Sequence, residues 1–250
     1  MKGIILAGGT GTRLLPLTSV LSKQLLPVYD RPMIFYPLNT LIQAGIRDIL
    51  IIISPDYSGN YLNLLGSMFH GHGVNISFVV QKRPSGLPEA FILGEDFLDG
   101  GSSTLILGDN IFEDDFSEAI GSFVSGGRVF AKEVPDPERY GVVEFDEATG
   151  KVLSIEEKPS QPKSNFAIPG IYIYDGKATE RAKAVKPSER GELDVRTITG
   201  EYFDAGTHDS LLKASVCVKE KDFRSRFHPI VNEAIAEFNA ESKRLLSLQK

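Results

Sequence analysis

The chain begins with a short apolar run, Ile4 to Ala7, and continues into a loop that holds Gly8, Gly9 and Gly11. An apolar run of this length indicates a buried β-strand. Glycine lets the backbone turn tightly and lets its N–H groups approach an anion closely. Arg13 and Lys23 follow and add two positive charges. The pattern predicts a loop that binds phosphate groups at the carboxyl end of a strand.

Two better-known phosphate loops do not match this segment. A Walker A loop requires Lys-Ser or Lys-Thr after its glycines, and neither follows here. The dinucleotide fingerprint G-x-G-x-x-G has Leu14 where its third glycine belongs. Asp30 lies among turn residues and not at a strand end, so it is a poor ribose-binding acid. An NAD-binding Rossmann protein is therefore disfavoured.

Composition limits the classes of partner and the compartment. The chain has 250 residues, of which 42% are hydrophobic, enough for one α/β domain. Its net charge of −6 argues against general nucleic-acid binding, which needs a basic surface. A single cysteine, Cys217, excludes an intrachain disulfide, and packing is its expected role. With neither a membrane-length apolar run nor a signal-peptide core, we expect a cytoplasmic protein without a membrane partner.

The first half of the chain alternates strand-like and helix-like segments. This alternation predicts βαβ units and an α/β fold with a mostly parallel sheet flanked by helices. In such sheets ligands bind beyond the carboxyl ends of the strands, so the glycine loop and Asp109 should face one crevice. The predicted strands are Ile4–Ala7, Ile49–Ser54, Ile76–Val80, Thr104–Leu107 and Val129–Glu133, and the predicted helices are Met33–Ala44, Tyr61–Phe69, Glu89–Phe97 and Phe116–Val124.

The second half has a different pattern. Strand-like runs at Val142–Phe145, Val152–Ile155 and Phe166–Tyr174 predict a smaller, antiparallel or mixed layer over the crevice. Apolar residues at helical spacing between Ile230 and Phe238 predict a C-terminal helix that packs on its own domain. With no repeat and no clear linker, the chain is expected to form one domain, with parts at residues 1–134, 135–208 and 209–250.

The stretch from Gly3 to Pro27 resembles the signature loop of the sugar-phosphate nucleotidylyltransferases, G-G-x-G-T-R-L followed by K-x-L-L-P. Several matching blocks in family order are far more specific than one block. The resemblance implies the family's fold, a Rossmann-like mixed sheet with a smaller antiparallel sugar-binding layer. The further segments that resemble the family, in order, are Leu107–Phe112, Asp136–Phe145, Glu156–Pro159, Gln161–Asn165, Arg190–Leu193 and Asp204–His208.

The resemblance implies attack by a sugar 1-phosphate oxygen on the α-phosphorus of a nucleoside triphosphate, with pyrophosphate as the leaving group. The favoured pair is dTTP and glucose 1-phosphate. UTP or another sugar 1-phosphate is an alternative, as is a nucleotide-sugar binder without turnover. A phosphate monoester has a second pKa near ~6, so no strong base is needed. The site must instead neutralise charge and align the reactants.

The resemblance also assigns roles to residues of this chain. Arg13 would grip the triphosphate and stabilise the departing pyrophosphate, and Lys23 would contact the α-phosphate or the incoming phosphate as a point charge. Asp109 and Asp204 would hold Mg²⁺. Gln81 and the backbone of Gly86 would contact the pyrimidine edge. The implied catalytic residues are Arg13, Lys23, Asp109 and Lys158. The other implied nucleotide contacts are Leu6, Gly8, Gly9, Gly11, Thr12, Gln24 and Pro84, and the sugar-phosphate contacts are Tyr140, Gly141, Glu157, Lys158, Ile168 and Arg190.

Two segments depart from the family pattern. Ser85–Ala90 reads S-G-L-P-E-A where the family has D-G-L-A-Q-A, which leaves the choice between thymine and uracil open. Only Asp194 to Phe203 separate Leu193 from Asp204, where the family has a helix and a strand. We expect this link to be extended, without a helix. The surface that the missing helix would cover predicts a homo-oligomer with this region near the interface.

Overall fold

The computed structural model describes residues 1–83, 85–184 and 193–248. Within these residues, strands and helices alternate through the first half of the chain, as predicted. The strands are β1 (Lys2–Ala7), β2 (Pro27–Val28), β3 (Arg31–Pro32), β4 (Asp48–Ile53), β5 (Asn75–Val80), β6 (Ser103–Leu107), β7 (Asn110–Phe112), β8 (Gly127–Glu133), β9 (Gly141–Asp146), β10 (Lys151–Glu157), β11 (Phe166–Ala167), β12 (Ile171–Tyr174), β13 (Leu193–Thr197) and β14 (Tyr202–Asp204). The helices are α1 (Phe35–Gln43), α2 (Ser58–Leu65), α3 (Pro88–Leu93), α4 (Glu95–Leu98), α5 (Ser117–Gly121), α6 (Ala178–Lys183), α7 (His208–Glu220), α8 (Phe223–Arg226) and α9 (Pro229–Leu248).

A ten-stranded mixed sheet forms the centre of the molecule, in the order β11-β9-β10-β13-β8-β12-β6-β1-β4-β5. Strands β5, β4, β1 and β6 are parallel, whereas β12 is antiparallel to β6 and β8. The buried apolar runs of β1 and β4 suit parallel strands that are covered on both faces. The expected class, a mostly parallel mixed sheet flanked by helices, is confirmed.

The antiparallel part is continuous with this sheet. Strand β9 pairs with β10 and β11, and β13 joins β10 to β8 by hydrogen bonds. A separate two-stranded sheet of β7 and β14 lies beside the carboxyl end of β6. The link from 194 to 203 contains β13 and β14 and no helix, so the expected extended link is confirmed.

Two predicted elements are divided in the structure. The strand expected over Phe166–Tyr174 is wrong as one element: it is broken between β11 and β12, because Pro169 has no N–H and the N–H of Gly170 donates to Asn110 Oδ1. The helix expected over Glu89–Phe97 is two short helices that meet at Gly94. The predicted helix at Tyr61–Phe69 begins earlier, at Ser58, and ends at Leu65.

Helices cover both faces of the sheet. One core cluster unites α1, α2 and the C-terminal helices with one face, and a second unites α3, α4 and α6 with the other. The predicted C-terminal helix is confirmed, and Val231 and Ala234 of α9 are buried in the core of their own chain. Cys217 packs against the same cluster as a half-buried thiol. In the described ranges no helix has the length and apolarity that spanning a bilayer requires.

Candidate active site

The glycine loop leaves the carboxyl end of β1 and turns sharply at Gly11. Gly11 has φ +63°, and a Cβ there would lie 2.8 Å from Thr18 Cγ2, so a side chain would be strained and crowded. The Thr18 hydroxyl donates to the carbonyl of Gly11 at 2.9 Å. No described atom lies within 4 Å of the Cβ position of Gly9. The loop is therefore fixed at its base and open to a ligand at its tip.

Four charged side chains meet just beyond this loop. The Lys23 ammonium is buried and forms an ion pair with Asp109, and it lies 4.0 Å from Asp204 Oδ1. A Cβ built on Gly206 would lie 2.7 Å from Arg13 Nη2, 2.8 Å from Asp204 Oδ1 and 3.2 Å from Lys23 Nζ. Two cations and the Asp204 carboxylate thus surround Gly206, where a side chain would collide with them.

The small sheet of β7 and β14 brings the two acids together. Asp204 lies opposite Asn110 in this pairing, and the N–H of Ala205 donates to the carbonyl of Asp109 at 3.0 Å. Burial and the nearby Asp109 carboxylate raise the pKa of Asp204, while Lys23 and Arg13 oppose the shift. Two carboxylates this close repel each other, and a cation bound between them would offset that repulsion.

Asn110 holds this arrangement in place, and sequence reasoning missed it. Its Nδ2 donates to Asp109 Oδ1 at 2.9 Å, and its Oδ1 accepts from Gly170 N at 2.8 Å and from the Tyr202 hydroxyl at 3.0 Å. Burial raises the pKa of Tyr202 well above its usual value, so the phenol stays protonated and donates. The position of Asn110 directly after Asp109 was the available signal.

The expected base pocket lies on the other side of the loop. Gln81 follows β5 and is buried, with its Oε1 against Gly8, where an added Cβ would collide with it. Gln81 Nε2 donates to Glu89 Oε2 at 2.6 Å. Gly86 adopts φ +94° in the exposed loop between them. Leu6 lies at the end of β1, and Pro84 lies outside the described residues.

Gln24 belongs to the interior behind the charged cluster. Its Oε1 accepts from the hydroxyls of Ser22 at 2.9 Å and Tyr61 at 3.2 Å, and its side chain is buried. A Cβ on Gly108 would lie 2.8 Å from Gln24 Cγ, so this residue packs under the strand end that carries Asp109.

The residues expected to bind the sugar phosphate come together at the ends of β9, β10 and β11. Glu157 Oε2 lies 3.1 Å from the Cβ position of Gly141, and Ile168 N donates to the Gly141 carbonyl at 2.8 Å. The N–H of Lys158 donates to the carbonyl of Tyr140 at 3.0 Å. Lys158 has φ +44°, an uncommon backbone conformation for a lysine. Arg190 lies outside the described residues.

A cleft of about 560 Å³ joins the charged cluster to the sugar-phosphate segment. Arg13 and Asp204 line one part of it, and Tyr140 and Arg139 line another. Arg139 and Lys132 are cationic residues of this cleft that the sequence did not single out. The cleft is large enough for a small anionic molecule to touch both groups of residues.

Known proteins are similar to this chain over most of its length. The model of the nucleotidyl transferase family matches residues 2–218. A glucose-1-phosphate thymidylyltransferase of Xanthomonas campestris pv. campestris (strain B100) is 53% identical over 209 residues, 82% of this chain and 70% of that relative. The same-named enzyme of Neisseria meningitidis serogroup A is 46% identical over 257 residues, with 94% of this chain and 88% of the relative covered.

Solved structures show the same fold. A Bacillus anthracis protein provisionally named glucose-1-phosphate thymidylyltransferase, solved with sucrose, has a TM-score of 0.83 and 39% identity, with 93% of this chain and 99% of that chain covered. An apo UDP-glucose pyrophosphorylase aligns with a TM-score of 0.74 at 23% identity over 89% of this chain and 99% of its own, a likeness of fold alone. The chain belongs to the nucleotidyl transferase family.

Proposed function

We propose that this enzyme transfers a thymidylyl group from dTTP to glucose 1-phosphate and so forms dTDP-glucose and pyrophosphate. The observation that carries the proposal is the cluster of Arg13, Lys23, Asp109 and Asp204 at the glycine loop, joined by one cleft to the Tyr140 segment. The names of relatives that are 44% to 53% identical support the choice of substrates.

The chemistry needs charge neutralisation more than a base. The phosphate of glucose 1-phosphate is largely ionised at neutral pH, because its second pKa is near ~6, and it can attack the α-phosphorus directly. Arg13 binds the triphosphate and stabilises the departing pyrophosphate with its planar guanidinium. Lys23, which forms an ion pair with Asp109, contacts the α-phosphate or the incoming phosphate as a point charge. In-line alignment of the two reactants supplies the remaining acceleration.

The acceptor sugar is bound by the antiparallel part of the sheet. Lys158, with Arg190 outside the described residues, holds the sugar phosphate. Glu157, Tyr140 and the backbone of Gly141 contact the sugar hydroxyls, with Ile168 beneath them. The support for these roles is the convergence of Tyr140, Gly141, Glu157 and Ile168 at neighbouring strand ends.

The donor set at Asp109 and Asp204 fits Mg²⁺. Within the described ranges, no group of three or more acidic, histidine or cysteine side chains forms a closed metal cage. Magnesium commonly uses one or two carboxylates and completes its shell with water and substrate phosphates. When bound there, Mg²⁺ would supply positive charge beside the triphosphate. Asp109 and Asp204 would supply the two carboxylate ligands. The hydrogen bond from Asn110 Nδ2 holds the Asp109 carboxylate in place.

One surface supports assembly into a homo-oligomer. Leu153 and Ile155 of β10 are 48% and 42% exposed, beside β13 and the short link. Apolar side chains on a sheet strand favour packing with a second copy. Light scattering after size-exclusion chromatography would give the mass, and a monomer at micromolar concentration would contradict this assembly.

Pyrophosphate release measures the proposed reaction. Purified protein is incubated with dTTP, UTP, ATP, CTP or GTP and with several sugar 1-phosphates, with and without Mg²⁺. We expect the highest kcat/KM for dTTP with glucose 1-phosphate. A preference for UTP or another sugar would keep the reaction class and change the substrate. Tight nucleotide-sugar binding without release of pyrophosphate would contradict the enzyme proposal and favour a binder.

A further inference from the structure

The side-chain amide of Gln81 is held in one orientation by Glu89. Gln81 is only 3% exposed, and its Nε2 donates to Glu89 Oε2 at 2.6 Å. A carboxylate can only accept hydrogen bonds, whereas an amide has one donor end and one acceptor end. The nitrogen of Gln81 must therefore face Glu89, and its oxygen must face away.

Glu89 is itself anchored. The same Oε2 accepts the N–H of Ser85 at 3.0 Å, and Glu89 is half-buried in the first turn of α3. The Glu89 carboxylate thus links Gln81 to the loop that carries Gly86. In the family pattern this position holds glutamine, which can both donate and accept. The glutamate of this chain removes that ambiguity.

The oxygen of Gln81 points to the glycine loop. It lies against Gly8, and within the described residues it accepts no hydrogen bond. A ligand that donates a hydrogen bond to this free oxygen gains affinity over one that presents an acceptor to it. The geometry therefore offers one acceptor to a ligand that lies beside Gly8 and Gln81.

We infer that Glu89 is a positioning residue that sets base specificity through Gln81. The inference rests on the proposed function, in which Gln81 contacts the pyrimidine edge. Thymine and uracil carry a ring N3–H donor, which matches the Gln81 oxygen. Cytosine carries an unprotonated ring N3 acceptor, which the oxygen repels. Glu89 therefore makes the pocket select imide bases and reject cytosine, without contacting the base.

The test measures binding of dTDP and dCDP by isothermal titration calorimetry, which needs no turnover. In the wild type we expect dTDP to bind at least about tenfold more tightly than dCDP, the factor that corresponds to one hydrogen bond. Glu89→Gln should lower this ratio severalfold, because the Gln81 amide can then turn over. Glu89→Lys offers only donors, so Gln81 should turn its nitrogen to the base and the ratio should fall below one.

Glu95→Lys is the matched control. Glu95 lies on the neighbouring helix α4 and forms an exposed ion pair with Lys183 at 2.5 Å. This variant changes the net charge by the same amount as Glu89→Lys and should keep the wild-type ratio. A general loosening of the loop would weaken both nucleotides equally and leave the ratio unchanged.

The outcomes separate the two proposals. A wild type that prefers dTDP, with variants of Glu89 that keep the same ratio, overturns the inference and leaves the proposed function intact. A wild type that binds dTDP and dCDP equally overturns both. A ratio that falls in the order wild type, Glu89→Gln, Glu89→Lys, with Glu95→Lys unchanged, establishes the role of Glu89.

Discussion

Replacing Lys23 by methionine should destabilise the fold in a pH-dependent manner. The Lys23 ammonium is buried between Asp109, with which it forms an ion pair, and Asp204, whose Oδ1 lies 4.0 Å away. Methionine keeps much of the side-chain volume and removes the charge. The two carboxylates then face each other without the cation that lies between them in the wild type.

The magnitude follows from distance and burial. Two unit charges 4.0 Å apart interact by about 4 kcal/mol at an effective dielectric constant of ~20. Removing one partner of a buried pair costs about 3–5 kcal/mol. The Asp109 and Asp204 side chains are 19% and 31% exposed, so water compensates part of this loss. We expect Lys23→Met to lower the free energy of unfolding by roughly 2–3 kcal/mol at neutral pH.

The pKa of Asp204 fixes the sign of the pH dependence. Burial and Asp109 already raise this pKa above the ordinary value of 3.8, and loss of Lys23 raises it further. A carboxyl group whose pKa is raised by folding stabilises the fold fully below its unfolded pKa. That contribution is lost as pH rises through the folded pKa. The deficit of Lys23→Met should therefore be largest at neutral pH and shrink towards about pH 4.

Urea unfolding followed by circular dichroism at several pH values measures this deficit against the wild type. Lys221→Met is the control, because Lys221 pairs with Glu113 at the surface and should show a much smaller loss. Equal deficits for Lys23→Met at neutral and acidic pH would refute the reasoning. So would a deficit that grows on acidification.

Three further predictions concern activity. Asp204→Asn should lower kcat about a hundredfold with the fold intact, measured by pyrophosphate release, and a wild-type kcat at limiting Mg²⁺ would contradict its metal role. Arg13→Ala should raise the activation free energy of the chemical step by about 2.7–4 kcal/mol. Lys158→Ala should instead raise mainly the KM for glucose 1-phosphate. If steady-state kinetics gave the reverse pattern, the assignments of the two phosphate sites would be exchanged. Gly8→Ala should raise the KM for dTTP, because its methyl group collides with Gln81 Oε1, and an unchanged KM would move the base pocket elsewhere.

Local sequence patterns predict the strands of the parallel part well. Ile4–Ala7 and Ile49–Ser54 are uninterrupted apolar runs bounded by turn residues, and both are found as β1 and β4 within a few residues. Such runs report burial on both faces, which is a property of the segment itself. The turn of the glycine loop is also a local property, because it depends on the left-handed φ of the single residue Gly11.

Contacts between residues of different elements were not predictable in this way. The break after Ala167 depends on Gly170 donating to Asn110, and the orientation of Gln81 depends on Glu89. Periodicity carries no information on which side chains meet after folding. The segments carrying Asp109 and Asp204 were identified by resemblance, and their pairing through β7 and β14 required the structure. Their metal role, like the other site roles, stays a prediction.

The hydrogen bonds of Asn110 limit how this position can vary in evolution or in a library. Its amide donates to Asp109 and accepts from Gly170 and Tyr202 at the same time. Aspartate could accept but not donate, leucine of similar branched shape could do neither, and glutamine is one methylene too long for the buried space. A selection for active variants should therefore recover asparagine alone at position 110, while exposed positions such as Val124 diversify freely. Sequence entropy across such a library would outline the site without any ligand bound.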